Sequence, residues 1–257
     1  MKKILISGCS FTQCRRNDHC RPHDYKFWAK HWVDYLFPHN KYSVLNLGRS
    51  AAGNRYIASS ILSNIDLNNK PDYVFILWSG VRRIDIPIPP SSTAELLRDY
   101  LYNASENECN NVNYFFTGGN HNLPPVKNFI EQGASEIFQD IADMYYSDTD
   151  DKLCNQLSLE SISSVTNFLD NHKIKYNFSF IYNPLSKGIA DDEPSLGLIV
   201  KTNAYYQHIN WVNYINFTPF EYGLKHDFIY DGMHLTVDGM CRWAEEIKKY
   251  IPDSIIN

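Results

Sequence analysis

Runs of apolar residues alternate along the chain with segments whose apolar residues recur at helical spacing. The apolar runs are short, rich in aliphatic and aromatic residues, and close at a glycine or a polar turn, as buried parallel strands do. They predict four strands, over residues 3–7, 42–47, 72–78 and 175–182. Spacings of three and four residues predict helices in between. These cover residues 27–37, 54–67, 94–102, 134–146, 157–172 and 236–250.

Strands that alternate with helices predict βαβ units and a mainly parallel sheet. We therefore expect one α/β domain over residues 1–257, a three-layer α/β/α sandwich that binds ligands at the carboxyl ends of its strands. Residues 85–133 break the alternation, because they hold most of the proline and glycine pairs. We interpret this segment as an insertion into the domain, with one short helix.

Composition narrows the functional class. A formal net charge of -5 without a long basic run argues against nucleic-acid binding. The apolar stretch after Met1-Lys2-Lys3 covers three residues, whereas the hydrophobic region of a signal peptide needs about 7–15. No segment approaches the roughly 18 apolar residues of a membrane span. We expect a cytoplasmic protein that binds neither nucleic acid nor membrane.

Metal-binding side chains crowd one segment near the N-terminus. Residues 14–23 contain Cys14, His19, Cys20 and His23. The two cysteines are separated by five residues, outside the C-x₂₋₄-C spacing of strong zinc sites. We interpret the segment as a polar loop with free thiols, and we expect neither a metal nor another cofactor.

Ser10 is the candidate nucleophile. It follows the first predicted strand, in Gly8-Cys9-Ser10-Phe11-Thr12. A serine at a strand-to-helix turn exposes its hydroxyl, and its own N–H can help to stabilise an oxyanion. The alternative interpretation is a helix N-cap. The segment is not the G-x-S-x-G nucleophile elbow, because Thr12 replaces the second glycine.

Asp231 and His234 lie three residues apart in the turn before the last helix. This spacing allows the carboxylate to reach the histidine Nδ1 while Nε2 faces a serine, as in a Ser-His-Asp triad. The alternative is that Asp231 caps the turn and His234 is merely partly buried. Asp231 and His234 are therefore the candidate partners of Ser10.

Three segments resemble conserved blocks of the SGNH (GDSL-like) hydrolases. Residues 231–244, Asp-Gly-Met-His-Leu-Thr-x-x-Gly-x-x-x-Trp-Ala, look like the last block. Residues 8–12 look like the first block, with Cys9 where Asp is usual, and residues 46–54 resemble the second. The resemblance implies a flavodoxin-like fold and a cofactor-independent serine esterase. It also implies that a glycine N–H joins the oxyanion hole, for which we prefer Gly53 over Gly48.

The third block departs from the family pattern. Family members carry Gly-x-Asn-Asp after the third strand, and this Asn donates to the oxyanion, whereas residues 78–83 here read Trp-Ser-Gly-Val-Arg-Arg. Ser79, Asn54 or an arginine can replace the missing donor. Arg82 and Arg83 can instead bind an anionic group of the substrate, although arginines at a strand end are more often simply solvated. A Trp-Ser sequence with a nearby Arg looks similar to SGNH-like proteins encoded by bacteriophages.

The leading hypothesis is a serine esterase in which Ser10 attacks an acyl carbonyl and His234 acts as general base and then general acid. Asp231 fixes the tautomer of the histidine. The resemblance implies a small-molecule or carbohydrate ester substrate, for instance an O-acetyl group. One alternative is acyl transfer to an alcohol by the same triad. The other is a binding protein that keeps the fold without catalysis, which the missing Asn favours and the retained Ser, His and Asp disfavour. The oligomeric state stays open.

Overall fold

The protein is described by a computed structural model, which covers residues 1–12, 31–49, 52–81, 83, 85–88, 113–116, 151–185, 201–229 and 234–256. The strands in this part of the chain are β1 (Lys2–Gly8), β2 (Tyr42–Asn46), β3 (Tyr73–Trp78), β4 (Asp85–Ile88), β5 (Asn113–Phe116) and β6 (Lys175–Phe180). The helices are α1 (Trp32–Leu36), α2 (Asn54–Asn64), α3 (Asp151–Asn171), α4 (Ala204–Gln207), α5 (Pro219–His226), α6 (Val237–Lys248) and α7 (Asp253–Ile256), with a 3₁₀ turn at Trp211–Asn213. The predicted helices over 94–102 and 134–146, and the Cys/His segment 14–23, lie outside the described residues.

Four strands form a parallel sheet in the order β2-β1-β3-β6. Beyond β6, Tyr214 makes a single parallel bridge with Phe178, which extends the sheet by one more position. This order matches the flavodoxin-like arrangement, in which ligands bind at the carboxyl ends of the first and third strands, where the strand order reverses. β3 is buried along its whole length, as its uninterrupted apolar run predicted.

Helices cover both faces of the sheet. The Oγ atoms of Ser7 on β1 and Ser60 on α2 are 2.7 Å apart. On the other side, Trp32 of α1 packs edge-on against Phe75 of β3. Phe75 is paired with Ile6, the neighbour of Ser7, and successive residues of a strand point to opposite faces. Ser7 and Phe75 therefore point to opposite faces of the sheet. α2 covers the Ser7 face, with α3 packed beside it, and α1 covers the Phe75 face, with α6 packed beside it. The predicted three-layer α/β/α fold is confirmed.

The last long helix has the predicted amphipathic packing. It begins after Thr236, whose Oγ1 accepts the N–H of Gly239 at 3.1 Å. The spacing of apolar residues in the sequence predicts an inward face of Trp243, Ala244, Ile247 and Ile251, and all four are buried. No helix among the described residues is both long enough and apolar enough to cross a membrane.

The segment interpreted as an insertion contains two strands that the sequence pattern did not predict. β4 and β5 pair antiparallel, with Asp85 opposite Phe116. Residues 85–133 therefore contain these two short strands, while the helix predicted there lies outside the described residues. Pro87 removes a backbone donor from β4, which an edge strand tolerates and which weakened the strand signal in the sequence.

Candidate active site

The structure brings Ser10 and His234 together, although 224 residues separate them along the chain. Ser10 lies in a turn just beyond β1, closed by the Thr12 N–H, which donates to the Cys9 carbonyl at 2.9 Å. The Ser10 Oγ is 2.8 Å from Nε2 of His234, and both residues are half-buried. At this distance a neutral imidazole with its proton on Nδ1 accepts a hydrogen bond from the serine hydroxyl. A nucleophile and its general base require this contact.

The position of Ser10 depends on a glycine at the end of β1. A Cβ added at Gly8 would lie 2.9 Å from the Leu77 carbonyl oxygen and would also overlap the Thr12 side chain. Real Cβ atoms do not approach backbone oxygens so closely. Gly8 therefore lets the chain leave β1 tightly against the end of β3, which places Ser10 at the carboxyl edge of the sheet.

His234 is held by the segments on either side of it. Leu235, the next residue, forms an antiparallel bridge with Ile229. The Thr236 N–H then donates to the Phe228 carbonyl at 2.7 Å, immediately before α6 begins. Asp231 and Arg82 lie outside the described residues, so their proposed roles stay predictions.

The Gly53 N–H, our preferred second oxyanion donor, forms a hydrogen bond within the protein. This N–H donates to Oδ1 of Asp85 at 2.8 Å, and the Tyr56 N–H donates to Oδ2 at 2.7 Å. Asp85 thus caps the start of α2 and occupies the donor that the resemblance assigned to the oxyanion. Burial raises the pKa of Asp85 from 3.8 to about 7, while these two N–H groups and the charges of Arg83 and Arg55 lower it.

Gly48 and Asn54, two further candidate donors, are also engaged. The Gly48 N–H donates to Oδ1 of Asn46 at 2.9 Å. Asn54 accepts the Ser79 N–H at 2.8 Å through Oδ1. Its Nδ2 donates to the Ser79 carbonyl at 3.3 Å and to Oγ of Ser158 at 3.1 Å. Asn54 therefore ties the start of α2 to the end of β3, and its amide is not directed at an oxyanion.

Ser79 differs from these groups, because its hydroxyl has no hydrogen-bond partner within the described part of the chain. The side chain is 1% exposed, and a buried unpaired hydroxyl is costly enough to require a reason. Gly8 at the end of β1 pairs with Leu77 of β3. Ser10 and Ser79 each lie two residues beyond this pair. Of the residues predicted to replace the missing Asn donor, Ser79 therefore has a hydroxyl without a hydrogen-bond partner among the described residues.

Arg83 is half-buried rather than fully solvated. A Cβ added at Gly53 would lie 2.7 Å from the Arg83 carbonyl oxygen, so the backbone of Arg83 runs beside the start of α2. Its charge lowers the pKa of the buried Asp85. The structure therefore connects Arg83 with the Asp85 cap, and binding of an anionic substrate group by Arg83 stays a prediction.

The sequence patterns missed the roles of Asp85, Phe11 and Trp32, whose indole N–H donates to the Phe11 carbonyl at 2.6 Å. Asp85 is an isolated acidic residue before an apolar tripeptide, which is a weak signal for a buried helix cap. Phe11 follows the candidate nucleophile directly, and its ring stacks on the imidazole of His234 with a centroid distance of 4.8 Å. Among the described residues no group of three or more His, Cys, Asp and Glu side chains could hold a metal ion.

Comparison with known proteins finds similar chains among solved structures. No protein-family model and no curated protein sequence matches the chain. Among solved structures, it is similar to a mutant of Axe2, an acetyl-xylooligosaccharide esterase from Geobacillus stearothermophilus, with a TM-score of 0.47 and 12% identity over 98% of this chain and 95% of that one. A GDSL-like lipase from Parabacteroides merdae gives 0.44 and 13%, over 97% and 94%. LAE5, an α/β hydrolase enzyme from the metagenome of Lake Arreo, gives 0.44 and 10%, over 98% and 97%.

Proposed function

We propose that this protein is a serine ester hydrolase of the SGNH/GDSL type, with Ser10 as nucleophile and His234 as general base. The observation that carries the proposal is the distance of 2.8 Å between the Ser10 Oγ and the His234 Nε2. The contact joins the first and last of the sequence blocks that resemble this family. It lies at the carboxyl edge of a parallel sheet, where α/β proteins bind their ligands.

The proposed reaction has two acyl-transfer steps. As Ser10 Oγ bonds to the acyl carbon, His234 Nε2 takes the hydroxyl proton, and the imidazolium then gives this proton to the departing alkoxide. The alcohol leaves, and an acyl ester on Ser10 remains. Water then attacks the acyl carbon while His234 takes a water proton, and His234 returns it to Ser10 as the carboxylic acid departs. Asp231 would hold Nδ1–H and stabilise the imidazolium.

For the oxyanion we propose two donors, the backbone N–H of Ser10 and the hydroxyl of Ser79. The N–H groups of Gly48 and Gly53 and the amide of Asn54 already donate within the protein. Among the described residues the Ser79 hydroxyl has no hydrogen-bond partner, and Ser79 directly follows β3, the strand after which the family carries its donating Asn. A preorganised donor shielded from water stabilises a developing oxyanion more strongly than a solvated one does.

For the substrate we propose a short acyl ester, such as an O-acetyl group on a small molecule or carbohydrate, on the strength of the family resemblance. The test is hydrolysis of p-nitrophenyl esters of increasing acyl length by the wild type, Ser10→Ala and His234→Ala. A matched control is Ser7→Ala, which removes a buried hydroxyl from β1, three residues before Ser10, and leaves Ser60 bonded to the Ile57 carbonyl.

We expect activity in the wild type and in Ser7→Ala, and its loss in both active-site variants. Hydrolysis that is equal in all four proteins would contradict the proposal. Wild-type protein that is inert toward every ester and does not react with a fluorophosphonate would favour the binding-protein alternative. Ester formation with an added alcohol would instead identify an acyltransferase.

A further inference from the structure

Phe11 covers one face of the candidate general base. Its ring is stacked on the His234 imidazole at a centroid distance of 4.8 Å and an interplanar angle of 29°, and Phe11 itself is only 4% exposed. An imidazole with a flat ring against its face cannot rotate freely about its Cβ–Cγ bond. The stacking therefore keeps Nε2 directed at the Ser10 hydroxyl.

The backbone of Phe11 is anchored in turn by a buried tryptophan. The Trp32 indole N–H donates to the Phe11 carbonyl at 2.6 Å. The indole is 1% exposed, and it meets Phe75 of β3 and Trp243 of α6 edge-on, at 5.6 and 5.4 Å between ring centroids. One side chain thus contacts both the turn that carries Ser10 and the helix that follows His234.

We propose that Phe11, anchored by Trp32, is a positioning residue that fixes the His234 imidazole for proton exchange with Ser10. This inference rests on the function proposed above. Phe11 is almost completely buried, so we assign it a role through His234 and not through contact with the substrate. Loss of alignment between nucleophile and base lowers the rate of the chemical step, and small misplacements can cost up to about 10²-fold.

The kinetic test uses p-nitrophenyl acetate and four variants: Phe11→Leu, Phe11→Tyr, Trp32→Phe, and Phe11→Leu combined with His234→Ala. Leucine keeps an apolar side chain but lacks the flat ring, so we expect kcat to fall about 10- to 100-fold with KM unchanged. Tyrosine restores the ring and should restore kcat. Trp32→Phe keeps an aromatic ring in the core but removes the N–H donor, and it should lower kcat to a smaller extent.

The double variant separates positioning from a general effect on folding. The comparison is made on the residual rate above the uncatalysed reaction that a triad variant retains. If Phe11 acts through His234, Phe11→Leu does not lower this residual rate further once His234 is alanine, because the two single effects are not additive. An equal loss in both backgrounds, or a Phe11→Leu enzyme with wild-type kcat, would overturn the positioning role. If the wild type hydrolyses esters in a Ser10-dependent way while Phe11→Leu is unaffected, only this inference fails.

A readout independent of activity is the NMR spectrum of the His234 ring, assigned with His234→Ala. A stacked phenyl ring shifts the imidazole protons upfield, and Phe11→Leu should abolish this shift while Phe11→Tyr keeps it. Unchanged His234 proton shifts in Phe11→Leu would overturn the inference even in a protein that hydrolyses no ester. Shifts that change as expected in an inert protein would sustain the contact and contradict only the proposed function.

Discussion

Two corners of the sheet's carboxyl edge use their polar groups in opposite ways. At the end of β1, the Ser10 hydroxyl and the His234 imidazole contact each other in a half-buried position. At the start of α2, the N–H groups of Gly53 and Tyr56 both donate hydrogen bonds to the buried side chain of Asp85. The first corner keeps reactive groups accessible, whereas the second satisfies its donors internally.

The difference shows what a sequence block can and cannot specify. The block around Gly53 resembles one whose glycine N–H serves an oxyanion, yet the partner of that N–H lies 32 residues further along the chain. Asp85 belongs to β4, in the segment interpreted as an insertion. Asp85, a residue remote in sequence, thus takes up the N–H donors at the start of α2. The predictions below test whether the Ser10 corner alone is catalytic.

The largest effect is expected for Asp231→Asn, which tests the third member of the proposed triad. An amide in place of the carboxylate no longer favours the histidine tautomer with its proton on Nδ1. We expect kcat to fall about 10⁴-fold, the size known for such a replacement in a Ser-His-Asp triad. Ester hydrolysis measured under saturating substrate provides the check. A loss of less than tenfold would mean that another group orients His234.

The next effect is expected for Ser79→Ala. If the Ser79 hydroxyl donates to the oxyanion, its removal lowers kcat about 10²- to 10³-fold. Because this hydroxyl is buried without a hydrogen-bond partner among the described residues, its loss should leave the free energy of unfolding unchanged or slightly increased. Urea denaturation and ester kinetics on the same preparation separate these effects. Wild-type kcat in the variant would exclude Ser79 as a donor.

Asp85→Asn should change stability more than turnover. The folded protein holds the Asp85 proton more tightly than the unfolded chain, since burial raises the pKa from 3.8 to about 7. This contribution to stability is present below about pH 4 and is lost as the pH rises to about 7. In Asp85→Asn, the free energy of unfolding measured with urea should not show this decline between pH 4 and 7.

Turnover of Asp85→Asn distinguishes the two corners directly. If Gly53 is structural, kcat changes far less than the roughly 10²-fold expected for a lost oxyanion donor. A strong rise in kcat would instead indicate that Asp85 withholds the Gly53 N–H from the substrate, and that this second corner is catalytic after all.

The smallest effect is expected at His31, which precedes the anchoring Trp32. Burial lowers its pKa from 6.5 to about 4, against the opposing charge of Asp34. The folded protein therefore loses stability as the pH falls from about 6.5 to 4, by a few kcal/mol at most. His31→Asn keeps an acceptor for the Val33 N–H and is a good helix N-cap. Its unfolding free energy should lack this acid-side loss, and an identical loss in both proteins would contradict the assignment.

The fold could be predicted wherever burial leaves a continuous local pattern. The run at 72–78 predicted β3 to within one residue, because a strand covered on both faces must be apolar throughout. The inward face of α6 was predicted from spacing alone. β4 could not be predicted in this way, because a four-residue strand with a proline carries almost no periodicity.

The candidate site could be predicted only in part, because some of its contacts are local and others are remote. Ser10 follows the end of a strand, and His234 lies in the turn before a helix. Both turns could therefore be placed at the carboxyl edge of the sheet. The Gly53 N–H donates to Asp85 and the Asn54 amide bonds to the backbone of Ser79. These partners lie in other segments of the chain, so no short motif contains both members of either pair. Phe11 lay within a recognised block, but its role depends on Trp32, whose position only the packed core defines.

Reaction of Ser10 with a fluorophosphonate, followed by mass spectrometry of the labelled peptide, tests the central claim most directly. A Cys9→Ala control is suitable, because this buried neighbouring thiol should not contribute to the labelling. We expect one label per chain on Ser10, at a rate that falls about 10²-fold or more in His234→Ala, since general-base assistance is then lost. An unlabelled Ser10, or equal labelling rates with and without His234, would contradict a serine nucleophile activated by His234.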